Sequence, residues 1–366
     1  MRVLVVNAGS SSLKLDLLDA DDRTLATREL RAPRAVVDPD DVRAALDDGF
    51  ADADVVGHRI VHGGERFRAA VRIDPAVEAE LRELVGLAPL HQPKSLAALD
   101  AVSAALPNIP AVACFDTAFH ATLPEAASTY ALPDAWRERW GLRRYGFHGL
   151  SHAWVARRAP EILGRPAAGL RVVSCHLGAG ASLCAIRGGR SVDTTMGFTP
   201  LEGLVMATRS GSVDPGLVLW LLEHTDLSEL EVADGLEHES GVLGLAGTAE
   251  MSVAVDRAGA GDPSARLALD VYLHRLRAGI AAMAAALGGL DALVFTGGVG
   301  EHSPAVRAEA VAGLGFLGLG IDAQRNLGGT GDRDVSAGSG VRARTVVLRA
   351  REDLEIAREA RLATRS

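Results

Sequence analysis

Residues 2–18 read RVLVVNAGSSSLKLDLL, and residues 171–193 read RVVSCHLGAGASLCAIRGGRSVD. Each opens on an unbroken apolar run of strand length. A small, glycine-bearing tip follows, and then a second strand-like run. In the first stretch, 2–7 is the buried strand, Ala8-Gly9-Ser10-Ser11 is a turn by composition, and 12–18 alternates with period two. Aligning Asn7 onwards with His176 onwards lays Gly9 over Gly178, and the second stretch adds a further turn at Gly188-Gly189. A third tip lies in LVFTGGVGEHSPAVRAEAV (293–311), a strand, a glycine loop and a helix with Pro304 near its first turn. The repeated device implies an α/β protein built from a duplicated unit, its halves meeting near 145–150 and its glycine tips facing a shared cleft.

Helical patterns cover 76–85, 95–105, 150–159 and 264–287. The closing segment REDLEIAREARLA (351–363) reads as an amphipathic helix packing back on the first half, and 328–340 as a surface loop. The chain has 366 residues, enough for two domains that each bury a core. With 38 basic against 47 acidic side chains, a net charge of −9 and no basic block, general nucleic-acid binding is not expected. Apolar runs such as LVLWLLE fall well short of a membrane span. The chain enters VLVVN directly, which reads as a cytoplasmic protein. Cys114, Cys175 and Cys184 sit in apolar strings and read as structural thiols. Lys14 and Lys94 are the only lysines.

Glycine tips after strands present backbone N–H groups that cradle phosphates. NAGSSSLK, HLGAGAS and TGGVGE fit neither the Walker pattern nor the dinucleotide fingerprint, yet three in one chain favour a nucleotide over ordinary turns. Arg59 in GHRIVHGGE and Arg209 in ATRSGSVDPG offer permanently charged forks for carboxylate or phosphate oxygens, or else salt bridges. His148 and His152, like Asp116 and His120, stand four apart, a spacing that also suits a zinc site, although HExxH is absent. Asp116, Asp193, Glu202, Asp214, Glu301, Glu352 and Asp353 are the carboxylates available to Mg²⁺, and spacing does not choose among them.

The strings NAGSSSLK (7–14), GHRIVHGGE (57–65), APLHQP (88–93), FDTAFHATLP (115–124), RRYGFHGLSH (143–152), HLGAGAS (176–182), DTTMGFTPLEGLVMATRSGSVDPG (193–216), SGVLGLAG (240–247) and TGGVGE (296–301) together resemble the acetate kinase family. That family sits within the wider group of acetate and sugar kinases, heat-shock chaperones and actin. The resemblance implies two related actin-like (ribonuclease H-like) α/β domains with an interdomain cleft. It places an N-terminal domain at 1–147, with helix 354–366 packing back on it, and a nucleotide-binding and dimerisation domain at 148–353.

It further implies reversible phosphoryl transfer between ATP and acetate with Mg²⁺, or Mn²⁺ in its stead, in a cytoplasmic homodimer. In this reading Asn7 and Glu352 bind the metal, with Asp353 the alternative to Glu352, and Arg59 binds the substrate. Asp116, His148 and Arg209 are catalytic, and Val61, Leu90, Phe147 and Pro200 line an acyl pocket. The nucleotide falls on Lys14, on the phosphate loop His176, Leu177, Gly178, Ala179 and Gly180, on Glu250, Met251 and Ser252, and on Gly298, Val299, Gly300, Glu301 and His302. Ala179 stands where the family carries asparagine, Gln92 replaces the asparagine of its APLHNP string, and Glu250-Met251-Ser252 replaces its Asp-x-Arg element. A propionate or other short-chain acyl kinase, a binding or regulatory homologue with weakened turnover, and a histidine-based metallohydrolase are the alternatives.

Overall fold

The computed structural model describes residues 1–9, 12–31, 39–47, 49–50, 52–88, 92–338 and 340–365. They divide into two compact units, one of Met1–Ala121, Phe147–Trp154 and Arg351–Ser366, the other of Thr122–Gly146 and Val155–Ala350. The chain enters the second unit at Thr122, returns for Phe147–Trp154, the segment that carries His148, and closes the first unit with its C-terminal helix.

In the first unit, β1 (Val3–Ala8), β2 (Ser12–Leu18), β3 (Thr24–Arg31), β4 (Val55–Ile60), β5 (Val71–Arg72) and β6 (Ala111–Phe115) form a sheet ordered β3-β2-β1-β4-β6-β5. β1 and β2 are an antiparallel hairpin with Asn7 opposite Lys14, while β1, β4 and β6 run parallel. Alternation along each strand feeds two cores. Leu4, Val6, Leu13, Leu15 and Val56 pack with Val42, Leu46, Ala98 and Val102, from helices Pro39–Asp47 and Gln92–Ala105. Val3, Val5, Val55, Val112 and Cys114 pack on the opposite face with Ile356, Ala357 and Ala360 of helix Glu352–Ala363. Gly57 lets that helix approach, since a Cβ there would lie 2.7 Å from the Ile356 Cγ2 methyl.

The second unit repeats the plan. β7 (Arg171–Leu177), β8 (Ala181–Arg187), β9 (Arg190–Thr194), β10 (Ala292–Thr296), β11 (Arg333–Asp334) and β12 (Arg344–Val347) are ordered β11-β12-β10-β7-β8-β9. β7, β10 and β12 run parallel, and β8 and β9 extend the sheet antiparallel. Gly188 and Gly189 have φ of +56° and +80°, the left-handed pair that a two-residue hairpin of this twist requires. Helix Pro263–Leu287 begins with Asp262 accepting from the Ser264 and Ala265 N–H groups and buries Leu269, Leu273, Leu276 and Ile280. The stretch after β10, expected as a loop, is a short helix, Gly297–His302. It starts from Gly297 at φ +78°, and Pro304 then opens helix Pro304–Ala312. All three cysteines are free and buried, in keeping with structural thiols.

One group on the C-terminal helix carries a pH consequence. Burial, reinforced by the Glu355 and Asp116 carboxylates and opposed by Arg358 and the Cys114 thiol, pushes Glu359 from its ordinary 4.5 up to about 8. Between those values the native chain keeps a proton that the unfolded chain releases, so stability falls as pH rises through that window. Glu359→Gln should flatten this slope, which is on the order of a few kcal/mol across the window. Urea unfolding of both proteins at a series of pH values measures it, and identical slopes would refute the assignment.

Candidate active site

Arg59 is the penultimate residue of β4, where the strand leaves the hydrophobic core. Its Nε and Nη2 donate to Asp116 Oδ2 at 3.0 and 2.7 Å, and its Nη1 donates to Asn7 Oδ1 at 3.1 Å. Glu352 Oε2 lies 3.8 Å from the same Nη1 and accepts from Asn7 Nδ2 at 3.3 Å. The four groups come from the ends of β1 and β4, from just after β6, and from the first turn of the C-terminal helix. Burial works against the guanidinium charge, but Asp116 and Glu352 outweigh it and raise Arg59 above its usual value. Burial likewise pushes the Asp116 carboxyl up, against the pull of Arg59. Asp116 Oδ1 is buried and has no hydrogen-bond partner among the described residues.

The same geometry separates the two neighbouring acids. Arg351 holds Asp353, donating from Nη2 at 2.7 Å, whereas Glu352 turns toward Asn7. Asn7 and Glu352 offer an amide oxygen and a carboxylate, hard oxygen donors of the kind Mg²⁺ prefers.

His148 has φ +56°, an uncommon backbone for a residue bearing a side chain. Its neighbour Gly149 donates N–H to the Asp116 carbonyl at 2.8 Å, and a Cβ on Gly149 would stand 2.1 Å from that oxygen. The His148 turn is therefore pressed onto the backbone of Asp116. His120 donates from Nε2 to the Phe147 carbonyl at 3.0 Å and meets His152 edge to face, so these two histidines brace the turn. Val61 and Phe147 are buried, and the Phe147 ring meets His62 edge-on at 5.5 Å. Leu90 and His91 lie outside the described residues. Gln92 is buried and exchanges hydrogen bonds with the His62 backbone, accepting at 3.1 Å and donating at 3.2 Å. Burial lowers His62 to about 4 and His58 to about 3, so both rings are neutral near pH 7. Lys14 pairs with Asp16 at 3.1 Å.

In the second unit, the HLGAG and TGGVG tips end the adjacent parallel strands β7 and β10, with His176 beside Thr296. They touch, since a Cβ on Gly297 would come within 2.8 Å of the Leu177 carbonyl oxygen. Ligands of open α/β sheets gather beyond such carboxyl ends. Arg307 is fully buried and donates to the Gly300 and Glu301 carbonyls at 2.9 and 2.8 Å. Ala207 N–H donates to the Ala179 carbonyl, while the Met206 and Ala207 carbonyls accept from Val242 and Leu243. The loop bearing Arg209 is thereby stitched to the phosphate tip and to the SGVLGLAG helix.

Arg209 Nε lies 3.1 Å from Glu237 Oε2, and its Nη1 donates to the Pro200 carbonyl at 3.3 Å. Burial lowers Arg209 from its usual value, with Glu237 opposing. Glu237 and Arg307 escaped the sequence reading because no local string marks them. Of the other carboxylates considered for a metal, Asp214 caps helix Pro215–His224, Glu301 accepts from Ala350 N–H, and Glu202 is engaged by Arg144 and Tyr130. Glu250 and Ser252 are exposed, while Met251 is buried.

A sequence model of the Acetokinase family matches residues 36–358. An acetate kinase of Gloeobacter violaceus is 47% identical over 342 residues, covering 92% of this chain and 80% of that protein. Among solved structures, an acetate kinase of Porphyromonas gingivalis is 36% identical with a TM-score of 0.90. A propionate kinase of Francisella tularensis is 32% identical with a TM-score of 0.91. Each of these two alignments covers 99% of both chains.

Proposed function

Because the chain belongs to the acetokinase family, we propose that it catalyses reversible transfer of the γ-phosphoryl group of ATP to acetate, giving acetyl phosphate and ADP. The observation that carries this reading is the part-buried Arg59, whose Nε and Nη2 both donate to Asp116 Oδ2 within reach of Asn7 and Glu352. Acetate is ionised near pH 7, so one carboxylate oxygen attacks phosphorus directly and no general base is needed. As that P–O bond forms, the bond to the bridging oxygen breaks and its electron pair leaves with ADP. Negative charge spreads over the equatorial oxygens of the transferring group, so catalysis reduces to positioning and charge stabilisation.

Arg59 supplies a fixed cation toward the acetate carboxylate, and Asp116 fixes its plane. His148 and Arg209 donate to the phosphoryl oxygens, and Glu237 orients Arg209. Backbone N–H groups of the tip His176–Gly180 hold the ATP phosphates, and the turn Gly298–His302 takes the adenosine. Asn7 and Glu352 are the residues that would hold Mg²⁺. Bound there, the ion would neutralise phosphate charge.

Assembly is part of the proposal. Helix Pro215–His224 (PGLVLWLLEH) buries none of its side chains within the chain, leaving Leu217, Leu219 and Trp220 at 47%, 59% and 52% exposure. An apolar patch of this kind fits a second copy in a homodimer.

Three outcomes are expected. In a coupled assay with acetate, ATP and Mg²⁺ the chain turns over, and Arg59→Ala, His148→Ala and Arg209→Ala each lower kcat by about 10²–10³; near-native turnover in all three would refute the mechanism. Val61→Ala opens room for about two methyl groups and shifts kcat/KM toward propionate, within the ~1–3 kcal/mol that a methylene commands in an apolar pocket. An unchanged acetate-to-propionate ratio in the folded variant would place acyl selection elsewhere. Sedimentation gives a dimer for the native chain and a monomer for Leu219→Glu, and a native monomer would overturn the assembly.

A further inference from the structure

Three side chains of the second unit converge on one short loop. Glu202 Oε1 accepts from Arg144 Nη2 at 2.6 Å, and its Oε2 accepts from the Tyr130 hydroxyl at 2.5 Å. The same Tyr130 oxygen accepts from the Phe198 N–H at 2.9 Å. Arg144 Nη1 donates to the Thr195 and Met196 carbonyls, both at 3.0 Å, and its guanidinium lies over the Tyr130 ring. The Tyr145 and Gly146 N–H groups donate to the Gly197 carbonyl at 3.1 and 3.2 Å.

Gly197 sits in the jaw of this arrangement. A Cβ there would fall 1.7 Å from Glu202 Oε2 and 2.1 Å from the Tyr130 oxygen. Beyond the jaw the loop reaches Pro200, whose carbonyl accepts from Arg209 Nη1, the guanidinium that Glu237 also meets. Among the described residues, the side-chain hydrogen bonds of Tyr130, Arg144 and Glu202 run to the backbone of 195–198 and to one another.

We propose that Tyr130, Arg144 and Glu202 form a positioning clamp that sets loop 195–200 and, through the Pro200 carbonyl, the Arg209 guanidinium. The clamp acts on the acyl-acceptor side of the reaction, because the loop carries the Pro200 wall and none of the nucleotide-binding tips. Tyr130 is the pivotal member, since its hydroxyl both donates to Glu202 and receives the Phe198 N–H. Its removal leaves a loop amide and a carboxylate oxygen unmatched in one step. This inference rests on the acetate kinase reading for the roles of Pro200 and Arg209.

Steady-state kinetics and hydrogen exchange on the full-length chain test it, with Tyr130→Phe, Glu202→Gln and Arg144→Lys compared against the native protein. Tyr130→Phe should lower kcat/KM for acetate on the order of 10–100-fold, the scale of a misplaced catalytic group, while KM for ATP stays unchanged. Exchange at the Phe198 amide should quicken, and the melting midpoint reports whether each variant is folded. Glu202→Gln keeps an acceptor for Arg144 and should show a smaller loss than Tyr130→Phe. A folded Tyr130→Phe with native kcat/KM for acetate, or one whose loss falls equally on KM for ATP, overturns the proposal. If the native chain does not phosphorylate acetate, the functional reading falls by itself, and the exchange arm still decides the clamp: native exchange at Phe198 in Tyr130→Phe refutes it.

Discussion

A guanidinium cannot be taken out of water without an anion to meet it, and the first unit is arranged around that requirement at Arg59. Asp116 answers with two hydrogen bonds on one oxygen, Asn7 with an amide oxygen and Glu352 with a more distant carboxylate. Those partners sit at the ends of β1 and β6 and in the first turn of the final helix, so the charge ties three parts of the chain to one point. The His148 turn is seated in turn on the Asp116 backbone through the Gly149 N–H. An error in placing Arg59 would therefore travel to Asn7 and Glu352 on one side and to the His148 turn on the other.

The two sheets have the same strand order, and their first hairpins correspond, with Asn7 in the place of His176. Gly9 N–H donates to the Ser12 carbonyl and Gly178 N–H to the Gly180 carbonyl, so the second tip is one residue shorter than the first. Continuing across the parallel ladders, Arg59 occupies the position that Thr296 holds in the other sheet. One plan thus serves two chemistries: a charged residue at the end of the second parallel strand gathers carboxylates, and a small one in its place leaves room for a glycine turn against the neighbouring tip.

What could be read from the sequence was what local pattern controls. The strand–tip–strand repeat, the left-handed glycine pair at Gly188-Gly189 and the long alanine-rich helix each follow from a few adjacent residues, and each is present. The motif strings are legible only through family resemblance, and spacing alone does not rank the seven carboxylates. The structure gives Glu352 and Asp353 different partners: consecutive residues on a helix point about 100° apart, so one faces Asn7 while the other meets Arg351. Glu237 was invisible because it looks like any acidic residue of an amphipathic helix, and its partner comes from a distant loop. The Tyr130–Glu202–Arg144 network was hidden for the same reason, and the helical turn at 297–302 because glycine runs ordinarily signal loops.

The final helix, Glu352–Ala363, covers the face of the first sheet on which Val3, Val5 and Val55 lie. Those strands emerge from the ribosome before residues 155–350 of the second unit, and that helix emerges after them. While the second unit is being synthesised, one apolar face of the first sheet lacks its native cover and Glu352 is absent from beside Asn7. The nascent chain holds an open hydrophobic surface over that interval. A product truncated before residue 351 therefore lacks both the cover over these strands and the carboxylate that meets Asn7 and Arg59.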